Sequence, residues 1–206
     1  MLKVFIGSGP RWDDHESVLG YSIRKHASVP VNIAFLRSDY LGLADTGCTG
    51  FSNLRYAIPE LCGYQGSAIY LDIDMLLLAD IAELADYAQP GKWVVMADGS
   101  DEVAVIDCSI RPPPLEELDQ HKKHEIKNKL VKHMNPAIPS EWNVEDTWRP
   151  GAKLLHFTNL HFVEDCWRRG VPWYSNHPAE SQDVLNRYML ESHGQYGLNQ
   201  EQSKVH

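Results

Sequence analysis

The 206 residues are enough for one sizeable domain that buries a core without disulfide staples. With 19 Lys plus Arg against 28 Asp plus Glu, the net charge is −9, which excludes the basic face that a phosphate backbone demands and so excludes nucleic acid as a partner. The apolar stretch after Met1 is only Val4-Phe5-Ile6, too short for a signal peptide. No run approaches a membrane span, leaving peripheral contact as the expected form of membrane association.

The chain opens with a short buried-strand signal, Lys3 to Gly7, ending in Gly-Ser-Gly-Pro. That turn permits close backbone approach to a ligand, although the full G-x-G-x-x-G is missing. Asp13 with Glu16 three residues on resembles a capping box, and Val18, Leu19, Ser22 and Ile23 mark the inner face of a helix to about His26. Val31–Leu36 is a second strand, so the opening predicts a parallel pair joined by a right-handed crossover. Residues 37–50 read as loop, and 51–58 as a short helical stretch leading to Pro59.

The stretch Tyr70–Asp80, YLDIDMLLLAD, organises the rest. The run Ser67–Leu71 predicts a strand that delivers Asp72 and Asp74, and on a strand residues i and i+2 face the same way. Two such carboxylates repel each other unless a cation lies close by. A hard divalent ion held there would neutralise a diphosphate leaving group. The alternative is two solvated acids at a strand end, with Asp80 capping the next helix.

That helix is expected over Ile81–Ala88, followed by strands at Trp93–Met96 and Val103–Cys108. After prolines 112–114, the spacing of Leu118, Ile126, Leu130 and Met134 predicts one helix from about Leu115 to Met134, its Lys and His residues forming a solvated face. Lys153–Phe157 is a strong buried strand carrying His156. That histidine is either a hydrogen-bonded core residue or, if its strand is central and parallel to the one bearing Asp72 and Asp74, a group at the same crevice. Two aspartates and an imidazole favour manganese over magnesium.

The four cysteines, at 48, 62, 108 and 166, have no metal-type spacing and read as reduced core thiols of a cytoplasmic protein. Gln182–Leu190 predicts a closing helix. The polar stretch from Ser192 is expected to fray, giving one domain over 1–191 and a flexible tail over 192–206.

Phe51-Ser52 with Arg55, the Tyr70–Met75 run and His156-Phe157-Thr158 together resemble glycosyltransferase family 8, over roughly residues 3 to 178. The openings at Ile6–Arg11 and Leu61–Gly66 are similar to a bacterial branch of that family. The resemblance implies an α/β chain with the GT-A glycosyltransferase fold: a single Rossmann-like sheet, mixed but mainly parallel, flanked by helices. It implies a UDP-sugar donor, transfer with retention to a glycan or lipid-linked acceptor, and Mn²⁺ (or Mg²⁺) held by Asp72, Asp74 and His156. Ile6, Gly7, Ser8, Pro10 and Arg11 would face the nucleotide together with Ile73, and Ser52 and Arg55 would reach the donor. Asp107 stands where the family has an acceptor-side asparagine, and Asp107 and Asn143 are the candidate catalytic residues; for a sugar substrate, Trp142, Asn143, Trp148, Trp173 and His177 are candidate sugar-facing residues, since aromatic faces stack on sugar rings.

The chain departs from the family in two places. Asn159 follows Thr158 with no lysine nearby to contact the diphosphate, and Gln182-Asp183 comes after His156 rather than before it. Two other readings stay open. Leu71–Leu77 also resembles the first motif of haloacid-dehalogenase-like phosphohydrolases, in which Asp72 would be nucleophile and Asp74 general acid. A nucleotide-sugar-binding module without turnover is the third.

Overall fold

The computed structural model describes residues 1–9, 13–43, 51–158 and 177–202, the side chains of 119, 120 and 194–202 excepted. Pro10, Arg11, Cys48, Cys166 and Trp173 therefore lie outside the described residues.

β1 (Leu2–Ser8), α1 (Asp13–His26) and β2 (Val31–Arg37) form the expected opening unit, with β1 and β2 parallel from Leu2↔Val31 to Ser8↔Arg37. The inner face of α1 buries Val18, Leu19, Ser22 and Ile23, as its spacing predicts. Asp13 and Glu16 do not close a capping box. Their carboxylates accept from Arg37 at the end of β2, and Ser8 Oγ donates to Glu16 at 2.6 Å. This ties the ends of β1 and β2 to the first turn of α1.

α2 (Ser38–Leu41) is one turn within the expected loop, and a 3₁₀ turn at Leu54–Ala57 leads into α3 (Ile58–Leu61), which takes Pro59 in its first turn. β3 (Ser67–Asp72) follows, then β4 (Met75–Leu77), α4 (Ala82–Ala85), β5 (Trp93–Met96) and β6 (Val103–Asp107). The main sheet has six strands in the order β2-β1-β3-β6-β5-β7, where β7 is Met134–Ile138. Only β6 runs against the others, so the sheet is mixed but mainly parallel. Its central strands are continuous apolar runs, as strands covered on both faces must be.

The long helix expected over Leu115–Met134 is instead three pieces. These are a 3₁₀ turn at Leu115–Gln120, α5 (Lys123–Leu130), and β7, which Met134 begins. Ile126 and Leu130 do bury a helical face, but the period says nothing of the break at His121. β7 contains Pro136, which an edge strand tolerates because it forfeits only one ladder hydrogen bond.

The expectation of a single sheet also needs amending. β4, β8 (Val144–Glu145) and β9 (Leu154–His156) make a second sheet in the order β4-β9-β8. The closing helix α6 (Ala179–Gln202) packs on α1, with His26 and Tyr188 hydrogen-bonded at 2.6 Å and Lys25 paired to Glu191 at 2.6 Å. Its backbone stays helical past Ser192, where the tail was expected to begin. Cys62 and Cys108 are unbridged, and burial beside Cys62 pushes the Cys108 thiol up to about 12. Among the described residues, no helix is long and apolar enough to cross a membrane.

Candidate active site

Asp72 ends β3 and pairs in register with Gly7 of β1, placing it at the carboxyl edge of the parallel part of the sheet. Ile73 and Asp74 then turn the chain into β4. The two carboxylates share a crevice, as the i, i+2 spacing predicts, although Asp74 reaches it from the turn rather than from the strand.

His156 arrives by a different route from the one its sequence implied. Its strand does not belong to the main sheet with β3 but is the middle strand of the second sheet. β9 lies antiparallel to β4 in the second sheet, with Met75 opposite His156, and Phe157 N–H donates to the Asp74 carbonyl at 2.8 Å. A strand antiparallel to the one that leaves Asp74 must end beside it. One ligand atom from each of Asp72, Asp74 and His156 lies within 4.8 Å of the others, and His156 Nε2 is 3.2 Å from Asp74 Oδ1.

Electrostatics say what the cluster wants. Burial opposes a charge on His156, yet the neighbouring Asp74, its hydrogen bond, Glu102 and Asp72 prevail and raise the imidazole to about 9. Burial likewise favours the neutral acid at Asp74, but His156 holds it below the usual carboxylate range. A proton on His156 thus does the neutralising that a bound cation would otherwise do. Two carboxylate oxygens and an imidazole nitrogen are a donor set suited to manganese-like ions, so these residues fit a divalent metal.

Asp72 is anchored from behind. Tyr70, two residues earlier on the same strand face, donates its hydroxyl to Asp72 Oδ1 at 2.5 Å, and Arg55 donates to the same oxygen at 2.9 Å. The Arg55 guanidinium is wholly buried, stacks 4.5 Å from the Tyr70 ring centroid, gives its Nε–H to the Ser52 carbonyl, and pairs with Asp101 at 3.2 Å. Asp101, buried but held ionised below the usual range by Arg55, Lys123 and Lys127, links this cluster to α5. Gly7 completes the packing: a methyl group there would collide with Tyr70 Oη and stand 2.8 Å from Phe51 Cδ2. Ile6 is buried beside it and Ser8 is tied to Glu16.

Asp107 is not part of this crevice. Because β6 runs antiparallel to β3, Asp107 lies opposite Ser67, five residues or roughly 17 Å along the sheet from Asp72. There it accepts the N–H groups of Gly91 and Ser109. The opposite end of β6 faces the cluster instead, and Glu102 just before it was missed by the sequence reading. Glu102 Oε2 lies 3.8 Å from His156 Nδ1, and burial pushes its carboxyl up against the opposing pull of His156. Asn143 does reach the site, accepting at Oδ1 from His156 Nδ1 at 2.9 Å. Trp142 is fully buried in the core, Trp148 packs against an apolar group that includes Leu76, Leu155 and Phe157, and His177 stacks edge-on against Phe157 at 5.0 Å.

No family model matches the chain. Protein CDI of Arabidopsis thaliana is 40% identical over 103 residues, a stretch covering 46% of this chain and 39% of that protein. Among solved structures, the glycosyltransferase GlyE of Streptococcus pneumoniae superposes with a TM-score of 0.65 at 14% identity, over 92% of this chain and 60% of that one. The galactosyltransferase LgtC, solved with donor and acceptor sugar analogs, gives 0.57 at 12% identity, over 93% of this chain and 96% of that one. The chain has the GT-A fold. The bifunctional WbbM, of which the chain spans 51%, agrees with a TM-score of 0.55 at 12% identity. In this GT-A chain the carboxylate–imidazole cluster sits at the carboxyl ends of parallel strands, where open α/β sheets bind ligands.

Proposed function

We propose that this chain is a glycosyltransferase of the family 8 type, transferring a sugar from a UDP-sugar to a hydroxyl of a glycan or lipid-linked acceptor, with retention of configuration. The observation that carries the reading is the convergence of Asp72, Asp74 and His156 at the edge of β3 within a GT-A fold. These three side chains would hold Mn²⁺ or Mg²⁺, which supplies charge neutralisation of the departing diphosphate.

The end of β1 supports a nucleotide there. Gly7 packs against Tyr70 and Phe51 and lies in register with Asp72, and by the family resemblance Ile6, Gly7, Ser8, Pro10, Arg11 and Ile73 would face the nucleotide. Ser52 and Arg55 serve the donor indirectly: the Ser52 carbonyl holds Arg55, and Arg55 holds Asp72. Asn143 and Glu102 occupy the side away from β1, where the sugar and acceptor would lie. Without a lysine after Thr158, more of the leaving-group charge would fall to the divalent metal that the Asp-Asp-His set would hold. A lipid-linked acceptor would be met by peripheral contact at the cytoplasmic membrane surface.

The test is a panel of UDP-sugars incubated with the protein and Mn²⁺, with release of UDP as the readout and Asp74→Asn as control. Metal-dependent release from one donor, lost in Asp74→Asn, is expected. Equal release by the variant would overturn the assignment, and phosphate release from simple phosphate esters would favour the phosphohydrolase reading.

A further inference from the structure

We propose that Glu102 and Asn143 are positioning residues that set which nitrogen of His156 faces the two aspartates, and so join ligands from two separate sheets into one metal site. The inference rests on the metal-site reading above and extends it to two residues that need touch neither ion nor donor.

The hydrogen-bond chain assigns its own directions. Asn143 Nδ2 lies 3.2 Å from Glu102 Oε2, and Asn143 Oδ1 lies 2.9 Å from His156 Nδ1. A carboxylate has no hydrogen to give, so the end of the amide facing Glu102 must be its NH₂. That turns the amide carbonyl toward His156, and a carbonyl only accepts. Nδ1 must therefore carry a hydrogen whether the ring is charged or neutral, so Nε2, which donates to Asp74 Oδ1 at 3.2 Å, is the nitrogen that would give up its hydrogen and offer a lone pair to a metal ion. Glu102 cannot do this alone, because its Oε2 is 3.8 Å from Nδ1 and beyond hydrogen-bond reach. The amide spans the gap.

Glu102 also grips the other half of the site. Its backbone carbonyl accepts the N–H of Asp72 at 3.2 Å. Asp72 belongs to the six-stranded sheet and His156 to the three-stranded one, and among the described residues no strand pair joins the two sheets. One residue thus holds the Asp72 peptide by its main chain and the His156 ring through Asn143. The spacing of the ligand set depends on that tie, and a histidine free to rotate about its Cβ–Cγ bond would spend part of its time turned away from the aspartates.

The test measures Mn²⁺ binding in the absence of nucleotide, by calorimetry and by the electron paramagnetic signal of the free ion, for the full chain and three variants. Asn143→Leu keeps the branched shape and loses both hydrogen bonds. Glu102→Leu loses the acceptor, whereas Glu102→Gln still offers a carbonyl to Asn143. Asn143→Leu and Glu102→Leu are expected to weaken Mn²⁺ about 10- to 100-fold, with Glu102→Gln recovering most of the loss. Thermal unfolding of each variant checks that the fold is kept. A second readout is the ¹⁵N spectrum of the Mg²⁺-loaded protein, in which His156 should carry its hydrogen on Nδ1.

Wild-type affinity in Asn143→Leu, or a hydrogen on Nε2 in the loaded protein, overturns the proposal. Equal weakening in Glu102→Gln and Glu102→Leu overturns the role of Glu102 as acceptor. Failure of the unaltered chain to bind Mn²⁺ is a different result, which removes the metal-site reading and this proposal with it.

Discussion

Replacing Arg55 by Met keeps most of the side-chain stem while deleting a buried charge that two carboxylates share. Arg55 pairs with Asp72 at 2.9 Å and with Asp101 at 3.2 Å, and also donates to the backbone carbonyls of Ser52 and Asp101. Breaking a buried pair by removing one partner costs about 3–5 kcal/mol, because the remaining charge stays desolvated. Asp101 retains Lys123 at 3.1 Å, Lys127 at 3.9 Å and the Tyr56 hydroxyl, so its share of the loss is softened. Among the described residues Asp72 keeps the Tyr70 hydroxyl as its side-chain partner, and the expected total is about 3 kcal/mol at the low end of that range. Urea unfolding of wild type and Arg55→Met, followed by tryptophan fluorescence, reads this directly. The double variant Arg55→Met/Asp101→Asn should recover part of it, since one stranded charge is gone. A loss below about 1 kcal/mol, the range of an exposed ion pair, would refute the argument that Arg55 is the anchor of the first ligand strand.

Gly7→Ala places a methyl group against Tyr70 Oη and should cost about 1–3 kcal/mol by overpacking, with weaker Mn²⁺ binding because Tyr70 is pushed from Asp72. Unchanged stability and metal affinity would show that the ring has room to shift. His15 is held neutral, its pKa lowered by burial to about 3 despite the pull of Asp74. Between about 3 and the ordinary value of 6.5 the unfolded chain binds more protons there, so stability is present above 6.5 and falls as pH drops through that window, at up to about 1.4 kcal/mol per unit. Urea midpoints measured from pH 7 to 4.5 should fall less steeply in His15→Leu than in wild type, and parallel slopes would remove His15 as the cause.

Much of the site was legible because its signals are local. The i, i+2 spacing marks Asp72 and Asp74 as neighbours, although Asp74 takes its place from the turn after β3, and the apolar run before His156 marks a strand whose end bears an imidazole. The same spacing also puts Tyr70 on the face of Asp72, a partner visible in the sequence once Asp72 is known to need one. What escaped depends on strand direction and pairing. Asp107 and Glu102 bracket one strand, and which of them faces the ligand is decided only by β6 running antiparallel to β3. Likewise His156 reached the cluster through pairing with β4, a three-residue strand too short for a periodic signal. Leu115–Met134 misled because Ile126 and Leu130 have helical spacing on their own, and a 3₁₀ turn before them and an edge strand after them extend it by coincidence.

The most direct measurement is calorimetric titration of UDP into the protein with and without Mn²⁺. Micromolar binding that appears only with the metal, worth about −8 kcal/mol and absent in Asp74→Ala, is the predicted result. Binding of equal strength without metal, or none under either condition, would contradict a metal-assisted nucleotide site at Asp72, Asp74 and His156.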